Sequence, residues 1–431
     1  MKASILTSSV AAILLAGCAG SHSGSPLPDA QSYGPAAGPL GSSFQVLHVF
    51  KGSPHDGGMP DGSLISVKGT LYGTTSVGGR HCYDHGRSLG CGTVFSITPQ
   101  GKYHLIYSFR GGPDDPSSPI GSLAEMGGTL YGASIFGGSC KMYDGGGCGT
   151  IFSVNPSGKE RVVYTFKGGS DGVRPSGGLI AMNGTLYGVT SGGGGSRYCK
   201  GYSNHGCGTV FAVTASGEER VVYRFPVGAK DGSYPSGQLL ALGGKLFGTT
   251  LFGGYFRHCG NGCGTIFEVT ASGVGKVLYR FDRRSQGSQP EGLIAVNGLL
   301  YGTTFNGGVA CGPYGYGGCG TVFEATAAGA LRTIYTFKSI SEGAEPQSLT
   351  AENGILYGTS RFGGNVCGVS GFYGGALFAI TTSGKKQWTY QFPCSGGVIP
   401  GPGLLELGGL LYGTTSLGTE YGDGTIFTFS I

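Results

Sequence analysis

The sequence predicts an all-β protein, a seven-bladed β-propeller of four-stranded antiparallel blades over residues 44–431. Three observations predict it. One phrase recurs seven times: "LYGTTSVGG" at Leu71, "LYGASIFGG" at Leu130, "LYGVTSGGG" at Leu186, "LFGTTLFGG" at Leu246, "LYGTTFNGG" at Leu300, "LYGTSRFGG" at Leu356 and "LYGTTSLGT" at Leu411. The leucines stand 54 to 60 residues apart, the length of a unit that needs neighbours to bury its faces. Each unit breaks into four short apolar runs between turn residues, with no convincing helical periodicity. Finally, the two ends complement each other. "FQVLHVF" (Phe44–Phe50) matches the fourth run of a unit, with His48 in the tyrosine position, and "GTIFTFSI" (Gly424–Ile431) matches the third. The N-terminal strand is therefore expected to complete the C-terminal blade and close the ring. An open solenoid would instead need polar capping repeats.

The four strands follow in order. Strand a is an apolar run such as "GLIAM" (Gly178–Met182). It ends in Asn183-Gly184, Asn297-Gly298 or Asn353-Gly354, or in Gly-Gly at 127, 243 and 408. These pairs suit a type I′ hairpin, which needs positive φ at both central residues. Strand b is the "LYGTT" segment. A variable loop leads to strand c, "CGTVF", and a turn such as "TASGEER" leads to strand d, "VVYRF". There the Tyr-x-Phe pair puts two rings on one face.

Of 431 residues, 91 are glycine and only 12% are charged, against about 25% in a typical soluble domain. The net charge of +5 is weak and dispersed, which argues against a nucleic-acid partner. With 39% apolar residues the chain can bury a core.

The first residues read as an export signal. Lys2 precedes an apolar run from Ile5 to Leu15, too short to span a bilayer as a helix. It ends in "LLAGC" (Leu14–Cys18), which resembles a bacterial lipoprotein signal. That resemblance implies a signal peptide over 1–17, lipidation of Cys18, and a membrane partner through the lipid anchor. Ala19 after the cysteine implies the outer membrane or cell surface. Residues 18–43, rich in Gly, Ser and Pro, read as a flexible tether.

The "LYGTT…GG" and "GTVF" phrases resemble the GloVer tandem repeat of exported, variably anchored bacterial proteins. The resemblance covers nearly everything from Phe44 onward and implies an envelope or surface propeller without supplying an activity. The paired glycines also resemble kelch blades, but kelch expects a tryptophan in each blade and the chain has only Trp388.

Thirteen cysteines follow the repeat. Five units bracket the b–c loop with a pair: Cys82 and Cys91, Cys140 and Cys148, Cys199 and Cys207, Cys259 and Cys263, Cys311 and Cys319. In the sixth, Cys367 has Gly374 opposite it; Cys394, in the next d–a connection, is its candidate partner, a pairing the sequence leaves open, and Cys18 makes the count odd. In an exported chain, local pairs indicate disulfides. Zinc would draw on His81, His85, His205 or His258, which hold no fixed repeat position, so no metal and no cofactor are expected.

The b–c and d–a loops share one face of the ring. The b–c loops vary in length and carry Tyr83, Tyr143, Tyr198, Tyr202, Tyr255, Phe256, Tyr314, Tyr316, Phe372, Tyr373 and Tyr421. Such rings either contact a glycan or envelope protein or pack on neighbouring loops. In the d–a connections Asp56, Asp115, Asp171 and Asp231 each precede a proline by four residues. They either bind a polar ligand or calcium or, the reading favoured here, accept local amides in an Asx-type turn. "GGSDG" (Gly168–Gly172) matches G-x-S-x-G but lacks the strand-to-helix elbow. No close carboxylate pair stands apart from the repeat. The expectation is a monomeric, lipid-anchored binding or scaffold module, non-catalytic, with its ligand on the b–c face. The alternatives are an exported enzyme acting on a polysaccharide or peptide at the channel mouth, and a purely structural envelope protein. A clustered constellation of Asp, Glu, His or Arg that breaks the sevenfold pattern would favour the enzyme.

Overall fold

A computed structural model describes residues 43–80, 82, 89–140, 146–195, 199, 206–226, 231–255, 259–282, 286–311, 317–364, 366–367, 372–418 and 422–431, with backbone only for 366, 372 and 373. The signal, Cys18 and nearly all of the tether lie outside these residues.

The described residues form seven antiparallel sheets in the spatial order a-b-c-d, strand a innermost. Blade 1 has Gly57–Pro60 and Ile65–Val67 as strand a, then Thr70–Gly78, Thr93–Ile97 and Tyr103–Ser108. Blade 2 runs Ser117–Met126, Thr129–Phe136, Thr150–Val154 and Glu160–Thr165. Blade 3 has Gly172–Pro175 with Ile180–Met182, then Thr185–Gly193, Thr209–Thr214 and Glu219–Arg224. Blade 4 is Ser233–Leu242, Lys245–Phe252, Thr265–Thr270 and Gly275–Arg280. Blade 5 is Ser288–Val296, Leu299–Asn306, Thr321–Ala325 and Leu331–Thr336. Blade 6 is Ala344–Glu352, Ile355–Phe362, Ala376–Thr381 and Lys386–Gln391. Blade 7 takes Val398–Pro400 with Leu405–Leu407, Leu410–Leu417 and Thr425–Ser430 from the C-terminal end. Its fourth strand is Phe44–Val49, paired antiparallel with Thr425–Ser430, and this closes the ring.

The repeated phrases are packing instructions. In "LYG" of blade 1, a Cβ on Gly73 would lie 2.6 Å from Phe95 Cζ and 2.8 Å from Leu64 Cδ2. The phenylalanine of strand c and the leucine of strand a cross over that glycine. The same trio recurs at Gly188 with Phe211 and Leu179, and at Gly413 with Phe427 and Leu404. The second threonine of "GTT" pairs with the threonine of "CGT": Thr75 with Thr93 at 2.8 Å, Thr190 with Thr209 at 2.7 Å, Thr415 with Thr425 at 2.9 Å. All six side chains are buried, so each hydroxyl satisfies the other. Strand a enters its hairpin with positive φ at both turn residues: 52° and 72° at Asn183-Gly184, 51° and 77° at Lys68-Gly69.

One boundary differs from the sequence expectation. Strand a begins not at the apolar run but two or three residues before the blade proline upstream, with Pro60 opposite Thr75 and Pro119 opposite Ser134. Proline is tolerated here because strand a is an edge strand and the proline Cδ packs on the "CGT" glycine of the preceding blade, Pro119 on Gly92 and Pro175 on Gly149.

Candidate functional site

The seven strands a enclose a central cavity of 520 Å³. Just after each blade proline stand Asp61, Ile120, Ser176, Ser236, Glu291, Gln347 and Gly401 in turn, the first five of them lining this channel. One residue deeper stand Gly62, Gly121, Gly177, Gly237, Gly292, Ser348 and Pro402. Here the backbones nearly touch: a Cβ on Gly121 would overlap the Gly178 amide, and one on Gly62 the Gly121 carbonyl. Hydrogen bonds lace neighbouring blades together at this level. Ser63 Oγ donates to the Pro402 carbonyl at 2.8 Å, Ser176 Oγ to the Pro235 carbonyl at 2.6 Å, and Thr359 Oγ1 to the Gly401 carbonyl at 3.0 Å.

Above this waist the symmetry breaks. Asp61 of blade 1, Glu291 of blade 5 and Glu345 of blade 6 are coupled electrostatically to one cation, Arg361 on strand b of blade 6. Equivalent positions to Arg361 hold Ser76, Ile135, Ser191, Leu251, Phe305 and Ser416. Burial dominates the titration of all three carboxyls. Asp61 is pushed up by burial, and Arg361 only partly offsets this. Glu291 is pushed up to about 7 by burial, with Arg361 opposing and Asp61 adding repulsion. Glu345 is also pushed up to about 7 by burial, with Arg361 opposing and Glu291 adding. Nε of Arg361 is buried and has no hydrogen-bond acceptor among the described residues. An unpaired donor facing carboxyls that titrate near neutrality can stabilise negative charge on an incoming group while the carboxyls exchange protons. Among the described residues, no three of His, Cys, Asp or Glu converge closely enough to hold a metal ion.

The expectation from sequence is that no close carboxylate pair stands apart from the repeat; these coupled carboxyls occupy positions where the other blades carry no acid. The members of the cluster are 54 to 300 residues apart in sequence, apart from Glu345 and Arg361, which are 16 apart. A comparison of the position after each blade proline across seven copies was the available signal.

The residues singled out from sequence fall elsewhere. Cys82–Cys91, Cys140–Cys148, Cys199–Cys207, Cys259–Cys263, Cys311–Cys319 and Cys367–Cys394 are bonded, with Cα separations of 5.0 to 5.7 Å. The d–a carboxylates are occupied locally. Asp171 accepts from Tyr164 Oη at 2.9 Å and from the amides of Lys167 and Gly172 at 2.8 and 2.7 Å. Asp115 accepts from the Arg110 amide at 2.8 Å, Asp56 from the amides of Lys51 and Gly57 and from His48 Nε2 at 3.1 Å, and Asp231 from Arg280 at 3.5 Å. Of the loop aromatics, Tyr255 is exposed at 56%. The backbone of Phe372–Tyr373 pairs with Val366–Cys367. Tyr83, Tyr143, Tyr198, Tyr202, Phe256, Tyr314, Tyr316 and Tyr421 lie outside the described residues.

YCF48 from Cyanidioschyzon merolae aligns over 90% of this chain and 98% of its own, at 10% identity and a TM-score of 0.49. The PQQ-bound aldose sugar dehydrogenase from Streptomyces coelicolor aligns over 91% and 99%, at 14% identity and 0.42. The Trypanosoma rangeli sialidase in complex with the inhibitor DANA aligns over 91% of this chain and 60% of its own, at 11% identity and 0.46. No curated protein matches the sequence. The expectation of a non-catalytic module is corrected at this point. Enzymes stand among the aligned propellers, so the fold does not favour the non-catalytic reading; likenesses at this level show the fold alone, and the chain adds coupled carboxyls that depart from the repeat. The model of the Gloeobacter/Verrucomicrobia repeat matches residues 36–200 and 81–313, well over half of the sequence, and the chain belongs to that family.

Proposed function

We propose that the protein is an exported, lipid-anchored hydrolase that cleaves a polysaccharide at the channel mouth. The observation that carries this is the electrostatic coupling of Glu291 and Glu345, both pushed up to about 7 by burial, with Arg361, whose Nε has no acceptor among the described residues. Glycosidic bonds are hydrolysed by two carboxyl groups alone, one donating a proton to the leaving oxygen and one acting on water or on the anomeric carbon. At neutral pH mutual repulsion favours a state in which one glutamate is protonated and the other ionised, the division of labour this chemistry needs. Asp61 adds negative charge that keeps the protonated partner from ionising early. Arg361 orients the substrate through its free N–H. The glycine and serine walls below present backbone amides and carbonyls for sugar hydroxyls.

Release of reducing ends from neutral and acidic polysaccharides, with peptide libraries in parallel, tests the reading. Hydrolysis of a polysaccharide that disappears in both E291Q and E345Q is expected. Turnover retained in those variants, or peptide cleavage alone, overturns it.

A further inference from the structure

On the outer circumference of blade 1 a second cavity, of 880 Å³, opens between the d–a loop before the blade and its outermost strand. Its lining is Pro54, His55, Arg80, Leu105, Ile106, Tyr107, Ser108 and Arg110. Three basic side chains therefore share one cleft with an aromatic ring and an aliphatic floor. The backbone fixes where two of them start: the Arg80 amide donates to Ser108 Oγ at 2.7 Å, which ties the end of strand b to strand d.

One carboxylate behind this cleft, Asp115, offsets part of the positive charge. Asp115 stands 4.0 Å from Arg110 Nε but already accepts from the Arg110 amide at 2.8 Å and from Tyr107 Oη at 3.4 Å. Glu160 of the next blade, pushed up to about 7 by burial with the Asp115 charge adding, contributes only part of a charge at neutral pH. The side chains of Arg80 and His55 have no acidic partner among the described residues. Among the described residues the cleft thus holds more positive than negative charge, Arg80 and Arg110 against Asp115, in a concave, partly apolar setting. The corresponding place on blade 4 is a useful contrast. That cavity of 390 Å³ is lined by Tyr255, Leu278, Tyr279, Arg280, Asp282 and Gln286, one cation with one acid, and Arg280 is engaged by Asp231 at 3.5 Å. The two outer clefts share a scaffold, and only blade 1 has lost charge balance.

We infer that the blade 1 cleft is an accessory subsite for an acidic polysaccharide, in which Arg80 and Arg110 engage ring carboxylates and Tyr107 lies beside a sugar face. Guanidinium groups suit carboxylates because they donate in a planar fork. An aromatic ring beside them suits the apolar face of a pyranose better than a bare ion. The assignment rests on the reading of a polysaccharide as ligand but not on its hydrolysis.

The test is affinity electrophoresis of the full chain carrying E291Q, so that no turnover intervenes, in gels containing polygalacturonate, neutral dextran or phosphatidylglycerol vesicles. Polygalacturonate is expected to retard the protein, with retardation weakening as salt rises. R80Q/R110Q should lose about tenfold or more in affinity, the consequence of removing charge-assisted hydrogen bonds, whereas R280Q on blade 4 should not. Melting temperatures near that of the parent exclude a folding defect. Equal retardation of R80Q/R110Q, no retardation by polygalacturonate, equal retardation by dextran, or retention by the vesicles alone overturns the assignment. Failure of hydrolysis elsewhere leaves these outcomes unchanged, and their failure leaves the channel chemistry standing.

Discussion

The Arg174 amide donates to the Cys148 carbonyl at 2.8 Å, across the boundary between blades 3 and 2. The same bond joins Ser118 to Cys91, Tyr234 to Cys207, Gln289 to Cys263 and Glu345 to Cys319. In blade 7, where Asp423 replaces the cysteine, Met59 bonds to Asp423. Each donor precedes the blade proline and holds a left-handed conformation, with φ from 49° at Met59 to 60° at Tyr234. That conformation costs a non-glycine residue roughly 1–2 kcal/mol, and the interblade bond helps hold it. The "CGT" phrase is thus a clasp. Its cysteine staples the b–c loop and grips the next blade, its glycine seats the next proline, and its threonine bonds strand b. Glu345, in the channel cluster, is held by this clasp.

Removing a staple should cost stability in proportion to the loop it closes. Cys140–Cys148 closes 8 residues and Cys367–Cys394 closes 27. Loop-closure entropy puts these at about 2.5 and about 3.5 kcal/mol. C140A/C148A and C367A/C394A should lower the chemical-denaturation midpoint in that order. Equal losses would mean that local strain, not chain entropy, sets the contribution.

The glycine of the clasp should not tolerate a side chain. Gly208 has φ of 99°, and its Cβ would lie 2.5 Å from Pro235 Cδ of the next blade. G208A combines backbone strain with overpacking at a blade interface, about 3 kcal/mol in all. G184A, in a turn with nothing within 4 Å of the added carbon, keeps the strain alone and should cost less. Thermal melts of the pair check the difference.

Blade 6 lacks the threonine of the clasp, and a residue there should repair it. Ser360 faces Ala376 at the register where Thr75 faces Thr93, and Ser360 Oγ is buried without a partner among the described residues. A376T should restore the hydroxyl pair and raise stability by about 1 kcal/mol. An unchanged or lower melting temperature would sink this.

The fold was legible because its information is local and sevenfold. "LYG", "GTT" and "CGT" each encode a contact made once per blade, and repetition makes the pattern visible. The channel cluster was not, because its information lies in departures from the repeat. Asp61 and Glu291 stand where other blades have Ile120, Ser176 or Gly401, and nothing near either residue in sequence announces a partner. Asp56, Asp115 and Asp171 drew attention because they repeat, and they repeat because each closes the same turn. In this architecture repetition marks scaffold and its interruption marks chemistry.

Stability should fall as pH rises from the acidic to the neutral range. Glu160 and Glu219, at blade interfaces beside Asp115 and Asp171, are pushed up to about 7 chiefly by burial, the neighbouring aspartate adding. The unfolded chain ionises them near the ordinary value of 4.5. Between about 4.5 and 7 the folded state therefore binds more protons, and the stability they lend below 4.5 is lost across that window. Glu291 and Glu345 act in the same direction. Asp56 acts in the opposite direction. Burial alone would raise it, but the hydrogen bonds of His48 and Tyr103 hold it below its ordinary 3.8, so its contribution is lost only in strong acid. Melting temperatures should peak in mild acid and decline toward pH 8, and E160Q/E219Q should flatten that decline. A melting temperature that climbs steadily from pH 5 to 8 refutes the assignment.

Activity should depend on Glu291 and Glu345 in a way a structural role would not reproduce. Both titrate near 7 and repel one another, so the rate should trace a bell centred near neutrality, whose limbs belong to the pair. Replacing either by glutamine keeps its volume but removes its proton exchange, and should lower kcat by about a hundredfold or more. The pH profile should then lose one limb, with the melting temperature held or raised because a costly buried charge is gone. R361K keeps the positive charge but removes the guanidinium Nε that lacks an acceptor. It should raise KM more than it lowers kcat if Arg361 orients substrate, and lower kcat alone if it stabilises charge only in the transition state. A bell that survives intact in both glutamine variants would remove these two residues from the chemistry.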